Sequence, residues 1–207
     1  MLGKFQKLRR YFGELAAQVR EDWRVNSRDW TQPGFRALAV HRFGTWVNER
    51  SDGVLRSLCM RLYQTMYRYV RNHYGIEIPL SAKVGRRLHL LHQSGIVFHW
   101  KAEVGDDCVV RQNVTLGAVY SDKTINDGPK IADKVQIGAG AVIFAGIKIG
   151  EGAVIGPNTV VMTNVPPGAR VVMEPPRVLR ISYDRQGNGV AGQRIIDQPA
   201  DTSVVEQ

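Results

Sequence analysis

Three histidines within eleven residues are the side chains of this sequence best suited to chemistry. His89, His92 and His99 lie in the segment 89–99. An imidazole can act as a general base or bind zinc, because its unperturbed pKa lies close to neutral pH. The spacing of these residues does not fit a zinc site, and no histidine follows His99 to complete one. We therefore expect no metal, and a lone histidine is more often structural than catalytic.

A six-residue repeat predicts the elements that must position these histidines. Aliphatic residues recur at every sixth position, namely Ile131, Ile137, Ile143, Ile149, Ile155 and Val161, with glycines filling much of the space between them. A helix would require apolar spacings of three and four, and a hairpin sheet would require alternation. A strict period of six with repeated glycine predicts a mainly β fold, a parallel β-helix with three hexads in each coil. Ile137 should then lie beneath Ile155, and Ile131 beneath Ile149.

The same period begins earlier in the chain and is interrupted twice. The positions Ile78, Val84, Leu90 and Ile96 keep step by six, and a two-residue slip near Trp100 to Glu103 resets the register to Val104, Val110 and Leu116. Ile131 follows Leu116 by fifteen positions where six would suffice. The excess predicts a loop at 117–130 that protrudes from the β-helix, and loops on rigid scaffolds commonly carry function.

Residues 1–75 predict a small α-helical region. Apolar residues at spacings of three and four define a first helix, at Leu2, Phe5, Leu8, Phe12, Leu15 and Val19. Pro33-Gly34 begins a second helix, and a turn at 51–53 precedes a third. The stripe of the third helix predicts packing in the core or against another subunit, through Leu55, Leu58, Leu62, Met66 and Tyr69. The predicted domains are therefore helices at 1–75, a β-helix at 76–181 and a polar, flexible tail at 182–207.

The positive charge of the chain is concentrated in the helical region. Of a formal net charge of +9 over 207 residues, +8 falls within residues 1–75. The basic residues follow helices without a recognised nucleic-acid-binding module, so we expect no nucleic-acid partner. The basic first helix leaves two alternatives open, packing on protein or peripheral contact with an anionic inner membrane surface. Two cysteines in unlike segments and no apolar run near ~20 residues predict a cytoplasmic protein.

Four segments resemble the hexapeptide-repeat acyltransferases, and more narrowly the serine acetyltransferase subfamily. They are PGFRALAVHR (33–42), IEIPLSAKVGRRLHLLHQSGIVF (76–98), NVTLG (113–117) and GPKIADKVQIGAGAVI (128–143). The resemblance implies a left-handed β-helix, acetyl-CoA as the donor, a homotrimer, and active sites between neighbouring β-helices. The short helical N-terminus is similar to that of colanic-acid and other exopolysaccharide O-acetyltransferases.

The resemblance implies a catalytic pair. His92 aligns with the general base that takes the proton from the acceptor hydroxyl. Glu77, fifteen residues earlier, aligns with the aspartate that orients this histidine. A hydroxyl group attacks a thioester poorly near neutral pH, and a positioned imidazole typically contributes ~10²–10⁴-fold. Fifteen residues is close to one coil, so the two side chains are expected near each other.

The resemblance also implies a binding site for the donor. The positions that match the donor-binding residues of the family are Gly117 and Ala118 after the Thr-Leu pair, Ala139 in the IGAGA segment, and Arg177. The family places backbone amides along the pantetheine arm of coenzyme A and basic side chains near its phosphates. Ala118 stands where a second glycine is usual.

Three positions depart from the family pattern beside the predicted base and in the loop. Leu91 stands where the family has an aspartate, and Asp127-Gly128 stands where it has an Arg-His pair. By resemblance, those family residues hold the ammonium and carboxylate of serine. An anionic residue in place of a cationic pair should repel a carboxylate. We therefore expect Leu91 and Asp127 to border a neutral acceptor, a sugar hydroxyl in exopolysaccharide or capsule assembly.

Two other functions remain open at this point. A serine O-acetyltransferase with a rebuilt acceptor site would form O-acetylserine for cysteine biosynthesis. A β-helix that only assembles partners would have no activity at all. Asp127 is itself open to a simpler interpretation as an ordinary turn residue before Gly128-Pro129.

Overall fold

The computed structural model describes residues 2–51, 53–118, 120–121, 124–125, 127–174, 179–183 and 189–194. Contacts divide the chain into two compact units, Met1–Val172 and Met173–Gln207. The helices are α1 (Leu2–Val25), α2 (Pro33–Asn48) and α3 (Val54–Tyr74). The strands, numbered in chain order, are β1 (Ile76–Glu77), β2 (Lys83–Val84), β3 (His89–Leu91), β4 (Ile96–Phe98), β5 (Glu103–Val104), β6 (Val109–Arg111), β7 (Thr115–Gly117), β8 (Tyr120–Ser121), β9 (Thr124–Ile125), β10 (Lys130–Ile131), β11 (Gln136–Ile137), β12 (Val142–Phe144), β13 (Lys148–Ile149), β14 (Val154–Ile155), β15 (Val160–Val161), β16 (Arg170–Val171), β17 (Leu179–Tyr183) and β18 (Gly189–Arg194).

Three parallel sheets form the faces of the β-helix. Face A has the strand order β1-β4-β7-β12-β15, face B has β2-β5-β10-β13, and face C has β3-β6-β11-β14-β16. Ile137 pairs with Ile155, and Ile131 pairs with Ile149, as predicted. The inward residues are fully buried, and each such aliphatic side chain contributes about 1.5–3 kcal/mol. The predicted left-handed parallel β-helix, preceded by helices, is confirmed.

The register slip in the early coils lies at the corner carrying His92, and its predicted position at 100–103 is wrong. Phe98, rather than Ile96, pairs with the buried Leu116 of the next coil on face A. It follows Leu90, the preceding inward residue, by eight positions where six would suffice. Residues 92–95 therefore form a widened corner. The sequence indicated the wrong position for the slip because Ile96 is also fully buried and fits the apolar period as well as Phe98 does.

A buried ion pair joins α1 and α2 to the first coil. Arg42 Nε donates a hydrogen bond to Asp22 Oδ2 at 2.8 Å, and the two side chains are 5% and 0% exposed. Arg42 also donates to the carbonyl oxygens of Val84, at 2.6 Å, and Gly85. Burial raises the pKa of Asp22, and the neighbouring guanidinium partly offsets this rise. These directional contacts fix the helices against face B.

The apolar stripes of α1 and α3 are covered to different extents. In α1, Leu15 and Val19 are half-buried, and the Phe12 ring lies 4.8 Å from the Trp46 ring, centroid to centroid. Helix α3 buries Tyr63 and Val70 on its inner side. Its predicted stripe is exposed by 37–75%, at Leu55, Leu58, Leu62, Met66 and Tyr69. Within one chain this stripe is therefore not core, which leaves packing against another surface.

The second unit contains one described strand pair. β17 and β18 are antiparallel, with Leu179 opposite Arg194 and Tyr183 opposite Gly189. β18 falls within the segment 182–207, which the sequence predicts as a tail. The predicted domain boundaries at 75, 181 and 207 stay predictions.

Candidate active site

His92 lies at the widened corner between face C and face A, directly after β3. Its side chain is exposed, and its backbone is left-handed with a φ of 64°. Ser94 and Gly95 follow with φ values of 84° and 66°. Left-handed residues other than glycine recur at further corners of the β-helix, such as Asn158, so this backbone conformation follows from the corner geometry. Asn113 N donates to Ser94 O at 2.9 Å, which anchors the corner to the next coil.

Corners of successive coils stack into two edges that border face A. The C–A edge contains residues 92–95, 112–114, 138–141 and 156–159, which connect face C to face A. The A–B edge contains residues 99–102, 118, 127–129 and 145–147, which lie between strands of face A and face B. Backbone hydrogen bonds join the corners of the C–A edge, for example Gly140 N to Gln112 O at 3.0 Å. Each edge therefore presents residues far apart in sequence along one line.

Glu77 lies in β1, close to the C–A edge. It pairs with Val97, and the preceding Gly75 packs against Ser94. Its side chain is half-buried and faces outward. Among the described residues no hydrogen bond joins Glu77 to His92. Catalytic hydrogen bonds often tighten only when substrate is bound, so this pairing stays a prediction.

Leu91 faces outward on face C beside a positive charge. β3 alternates so that Leu90 is buried while His89 and Leu91 are half-exposed. Leu91 pairs with Arg111 of β6, and partial burial together with the Arg111 charge lowers the pKa of His89. In the described part of the chain Arg111 has no ion-pair partner. An aspartate at 91, as in the family, would face this guanidinium, whereas leucine leaves the charge unbalanced.

Asp127 and Gly128 lie at the A–B edge. Lys101 Nζ donates to Asp127 Oδ1 at 3.3 Å, and the carboxylate is 66% exposed. A Cβ on Gly128 would meet Ala102 N at 2.6 Å and Lys101 C at 2.7 Å. The loop therefore returns so closely onto the 99–102 corner that no side chain fits at 128. A histidine at 128 would therefore require the backbone of this corner to move.

The residues predicted to bind the donor are divided between the two edges. Gly117 ends β7, where a Cβ would meet the Phe144 ring at 2.7 Å, and the half-buried Ala118 follows it. Ala139 lies on the C–A edge, as His92 does. Its N–H has no acceptor among the described residues, so it is available to a ligand carbonyl. Arg177 lies outside the described residues.

One chain does not bring all predicted site residues together. His92, Glu77 and Ala139 lie at or near the C–A edge, whereas Gly117, Ala118 and Asp127 lie at the A–B edge. These edges are opposite ends of face A, and a face of three to five extended residues measures roughly 10–16 Å. One chain therefore carries the predicted residues at two separate edges of face A.

Three residues near the site were missed in the sequence analysis. Lys101 neutralises Asp127, and its Nζ lies 5.0 Å from the centroid of the Trp100 ring. Tyr67 of α3 is half-buried, and its burial, followed by the charge of Glu77, raises its pKa. Arg111 lies beside Leu91. The pairing of Glu103 with Lys130 places position 101 opposite position 128, next to Asp127. The length of the loop is the sequence feature that bears on this contact.

The remaining histidine of the segment is used locally. His99 Nδ1 accepts a hydrogen bond from Lys101 N at 3.2 Å, and burial lowers the pKa of His99. Among the described residues no group of His, Cys, Asp and Glu side chains is arranged to hold a metal ion. In the same part of the chain, no helix is long and apolar enough to cross a bilayer.

Comparison with known proteins agrees with this architecture. The family described as bacterial transferase hexapeptide (six repeats) matches residues 128–163. A serine acetyltransferase of Synechococcus elongatus is 35% identical over 147 residues, which are 71% of this chain and 57% of that protein. An Escherichia coli K12 protein that carries the name of a colanic acid biosynthesis acetyltransferase, WcaB, is 36% identical over 163 residues. That match covers 76% of this chain and 96% of WcaB.

A solved structure extends the comparison to three dimensions. The serine acetyltransferase of Brucella abortus in complex with coenzyme A superposes with a TM-score of 0.65 at 25% identity, over 82% of this chain and 72% of that one. The chain spans about half to two thirds of the length of the serine acetyltransferases first matched, at 57%, 64% and 50%. The fold, the repeat and the near-complete match to WcaB show that this chain belongs to the hexapeptide-repeat acyltransferases of serine acetyltransferase type.

Proposed function

We propose that the protein transfers the acetyl group of acetyl-CoA to a sugar hydroxyl during the assembly of an exopolysaccharide or capsule. Membership of the acyltransferase family supports the reaction class. The match over 96% of WcaB, a protein named for colanic acid biosynthesis, supports the pathway class. The observation that carries the choice of acceptor is the closed backbone at Gly128, because it removes a residue by which the family holds an amino acid.

His92 is the proposed general base. Its exposed position on a left-handed corner leaves the imidazole free to reach a bound hydroxyl. The imidazole takes the hydroxyl proton as the oxygen attacks the thioester carbonyl, and the resulting imidazolium returns a proton to the departing coenzyme A thiolate. Glu77 would stabilise the imidazolium and hold its orientation, as carboxylates do in other base–carboxylate pairs.

The surroundings of the proposed base favour an uncharged acceptor. An aspartate at 91 would supply the charge that attracts an ammonium group, and Leu91 cannot. Lys101 is paired with Asp127, so its ammonium group is not free to bind the carboxylate of an amino acid. A sugar requires neither charge. Leu91 and Asp127 are therefore proposed to border the acceptor, with hydroxyl groups rather than ions as the recognised groups.

We infer that the functional unit is a homotrimer with a site at each junction between β-helices. His92 and Asp127 lie at opposite ends of face A, so a shared site requires the C–A edge of one chain beside the A–B edge of another. The proposed donor contacts, Gly117, Ala118 and Ala139, divide in the same way. Arg177 would then contact the coenzyme A phosphates. Light scattering should give the mass of three chains.

The predicted cellular location is the cytoplasm. Contact with the inner membrane surface would bring the protein to acceptors that are carried on lipids. The sequence assigned that contact to the basic α1. In the structure the described apolar residues of α1 are partly covered by α2, which supports packing on protein for residues 12–25. Membrane contact through the first turns of α1 stays a prediction.

Serine is the competing acceptor, because several of the matched relatives are named serine acetyltransferases. The two functions differ in a simple assay. Purified protein with labelled acetyl-CoA is offered free serine at millimolar concentration and, separately, a panel of nucleotide sugars and oligosaccharides. We expect acetylated sugar and no O-acetylserine. Formation of O-acetylserine at rates exceeding those with every sugar would reject the sugar proposal.

The catalytic assignment is tested with a pair of histidine variants. His92→Ala should lower the transfer rate by about 10²–10⁴-fold. His89→Gln, which removes the outward histidine of the same segment, should retain most activity. Equal losses in both variants would reject His92 as the base. Absence of both transfer and acetyl-CoA hydrolysis in the wild-type protein, across the whole acceptor panel, would favour a non-catalytic assembly role.

A further inference from the structure

Helix α3 carries an uncovered apolar surface, which we call the α3 stripe. It consists of Leu55, Leu58, Leu62, Met66 and Tyr69, which are 75%, 56%, 54%, 37% and 49% exposed. Because they follow one another at spacings of three and four, these side chains lie on one side of the helix. Contiguous apolar patches of this kind on a folded protein mark interaction surfaces. The α3 stripe therefore requires a partner outside the single chain.

The stripe continues into an apolar groove beside α2. Met66 and Tyr69 line this groove together with Trp30, and its volume is about 500 Å³. Trp30 is 62% exposed, and its ring packs edge-on against Phe35 with centroids 5.2 Å apart. Tryptophan and tyrosine are enriched where an apolar phase meets water, because each has an apolar ring and a polar group. The groove thus extends the stripe with the side chains that favour a membrane interface.

The charge of α3 decides which partner fits. Helix α3 contains no aspartate or glutamate, and it exposes Arg61, Arg68 and Arg71. Arg61 and Arg68 lie seven residues apart, so they share one side of the helix, about 100° from Leu62. Apolar residues flanked by arginines on a helix of high amphipathicity are typical of helices that lie in a membrane interface.

A two-fold contact with a second copy of the chain is not favoured at this surface. In a two-fold contact the same patch meets itself, so the arginines of one α3 would approach those of the other. No carboxylate on α3 could balance them. An anionic lipid surface, in contrast, attracts each of these arginines by about 1 kcal/mol. We propose that the α3 stripe, with Trp30, seats the protein on an anionic phospholipid surface.

This surface differs from the contact that the sequence indicates for α1. Phe12 of α1 contacts Trp46 of α2, and Leu15 and Val19 are half-buried, whereas the side chains of the α3 stripe are exposed. The proposed contact is peripheral: the leucines and aromatic rings enter the interface, and the arginines remain among the phosphates. It brings the protein to the surface on which lipid-carried acceptors would be found, and it does not depend on the acceptor assignment.

Sedimentation with vesicles tests the proposal on the full-length chain. Vesicles of phosphatidylcholine with one third phosphatidylglycerol should bind the protein, and vesicles of phosphatidylcholine alone should bind it much more weakly. Arg61→Gln with Arg68→Gln should weaken binding by about 30-fold, from two contacts of about 1 kcal/mol each. Leu58→Gln with Leu62→Gln should weaken it by about 10-fold or more, because two half-exposed leucines no longer enter the interface.

A matched control separates the α3 stripe from exposed apolar residues in general. Val160 and Met162 of the β-helix are each 60% exposed, and Val160→Gln with Met162→Gln should bind vesicles as the wild type does. Circular dichroism confirms that each variant is folded. The proposal is overturned if the wild type does not sediment with anionic vesicles, or if the leucine variant binds unchanged.

Two further outcomes would also overturn it. The leucine variant could lower the mass of the free protein in light scattering without changing vesicle binding, which would assign the stripe to a second copy. Alternatively, replacing Lys4, Lys7, Arg9 and Arg10 by glutamine could abolish binding while the α3 variants retain it. That result would assign the membrane contact to α1.

Discussion

Acidification should destabilise the junction between α2 and the β-helix through one buried histidine. His41 is 3% exposed, and its Nε2 donates to Ala82 O at 3.2 Å, just before β2. Burial, followed by the nearby charge of Arg42, lowers the pKa of His41 from 6.5 to about 4. The folded protein therefore holds a neutral imidazole at a pH where the unfolded chain binds a proton.

The sign and size of the effect follow from this difference in pKa. Between pH 6.5 and pH 4 the unfolded state carries the extra proton, so the free energy of unfolding falls as the pH falls. The contribution is fully present above pH 6.5 and is lost when the pH reaches about 4. A pKa difference of about 2.5 corresponds to a loss of about 3 kcal/mol over the whole window.

Urea unfolding followed by circular dichroism measures this contribution. Wild type and His41→Gln are compared at pH 7 and pH 5, since glutamine can still donate to the Ala82 carbonyl. Between these values the wild type should lose about 2 kcal/mol more than the variant. His73→Gln, which removes an exposed histidine of α3, corrects for the loss of a titratable group. Identical pH slopes for wild type and His41→Gln would refute the reasoning.

Three other predictions concern buried residues. Gly128→Ala should lower the free energy of unfolding by about 1–3 kcal/mol, because the added Cβ meets backbone atoms. Gly13→Ala should instead raise it by about 1 kcal/mol, because the space around this glycine of α1 is open. Thermal unfolding distinguishes the two variants. Arg42→Leu should cost about 3–5 kcal/mol in urea unfolding, since it leaves a buried carboxylate unpaired; a loss below 1 kcal/mol would contradict this. Burial raises the pKa of the Cys108 thiol to about 11, so a thiol reagent at pH 8 should modify Cys59 while Cys108 reacts only on unfolding.

Much of the fold was predictable because the same apolar pattern recurs in each hexad of the repeat. Ile131, Ile137 and their successors keep one period over six hexads, so an error at one position would be visible at the next. The early coils lack this redundancy. There Ile96 and Phe98 are both buried, and only the strand register shows that Phe98 continues the inward column. The sequence therefore indicated a two-residue slip but not its position, which the structure places at the corner that carries His92.

The candidate site was predictable as a set of residues and not as a geometry. His92, Glu77 and Asp127 could be selected because they lie in or beside segments that resemble the family in residue type and spacing. That His92 and Asp127 lie at opposite ends of face A follows only from how the coils stack. The pairing of Lys101 with Asp127 depends on the 27-residue coil that includes the loop, and no short-range pattern records such a contact.

The sequence by itself determined a parallel β-helix preceded by helices, because the apolar period and the glycine content are local features that can be identified from neighbouring residues along the chain. It also determined that the family pattern for holding an amino acid is broken at Leu91, Asp127 and Gly128. Only the tertiary structure decided that the backbone closes over position 128 and that the α3 stripe faces outward. Both depend on distances between segments far apart in sequence, since burial is a property of the packed molecule and not of the chain.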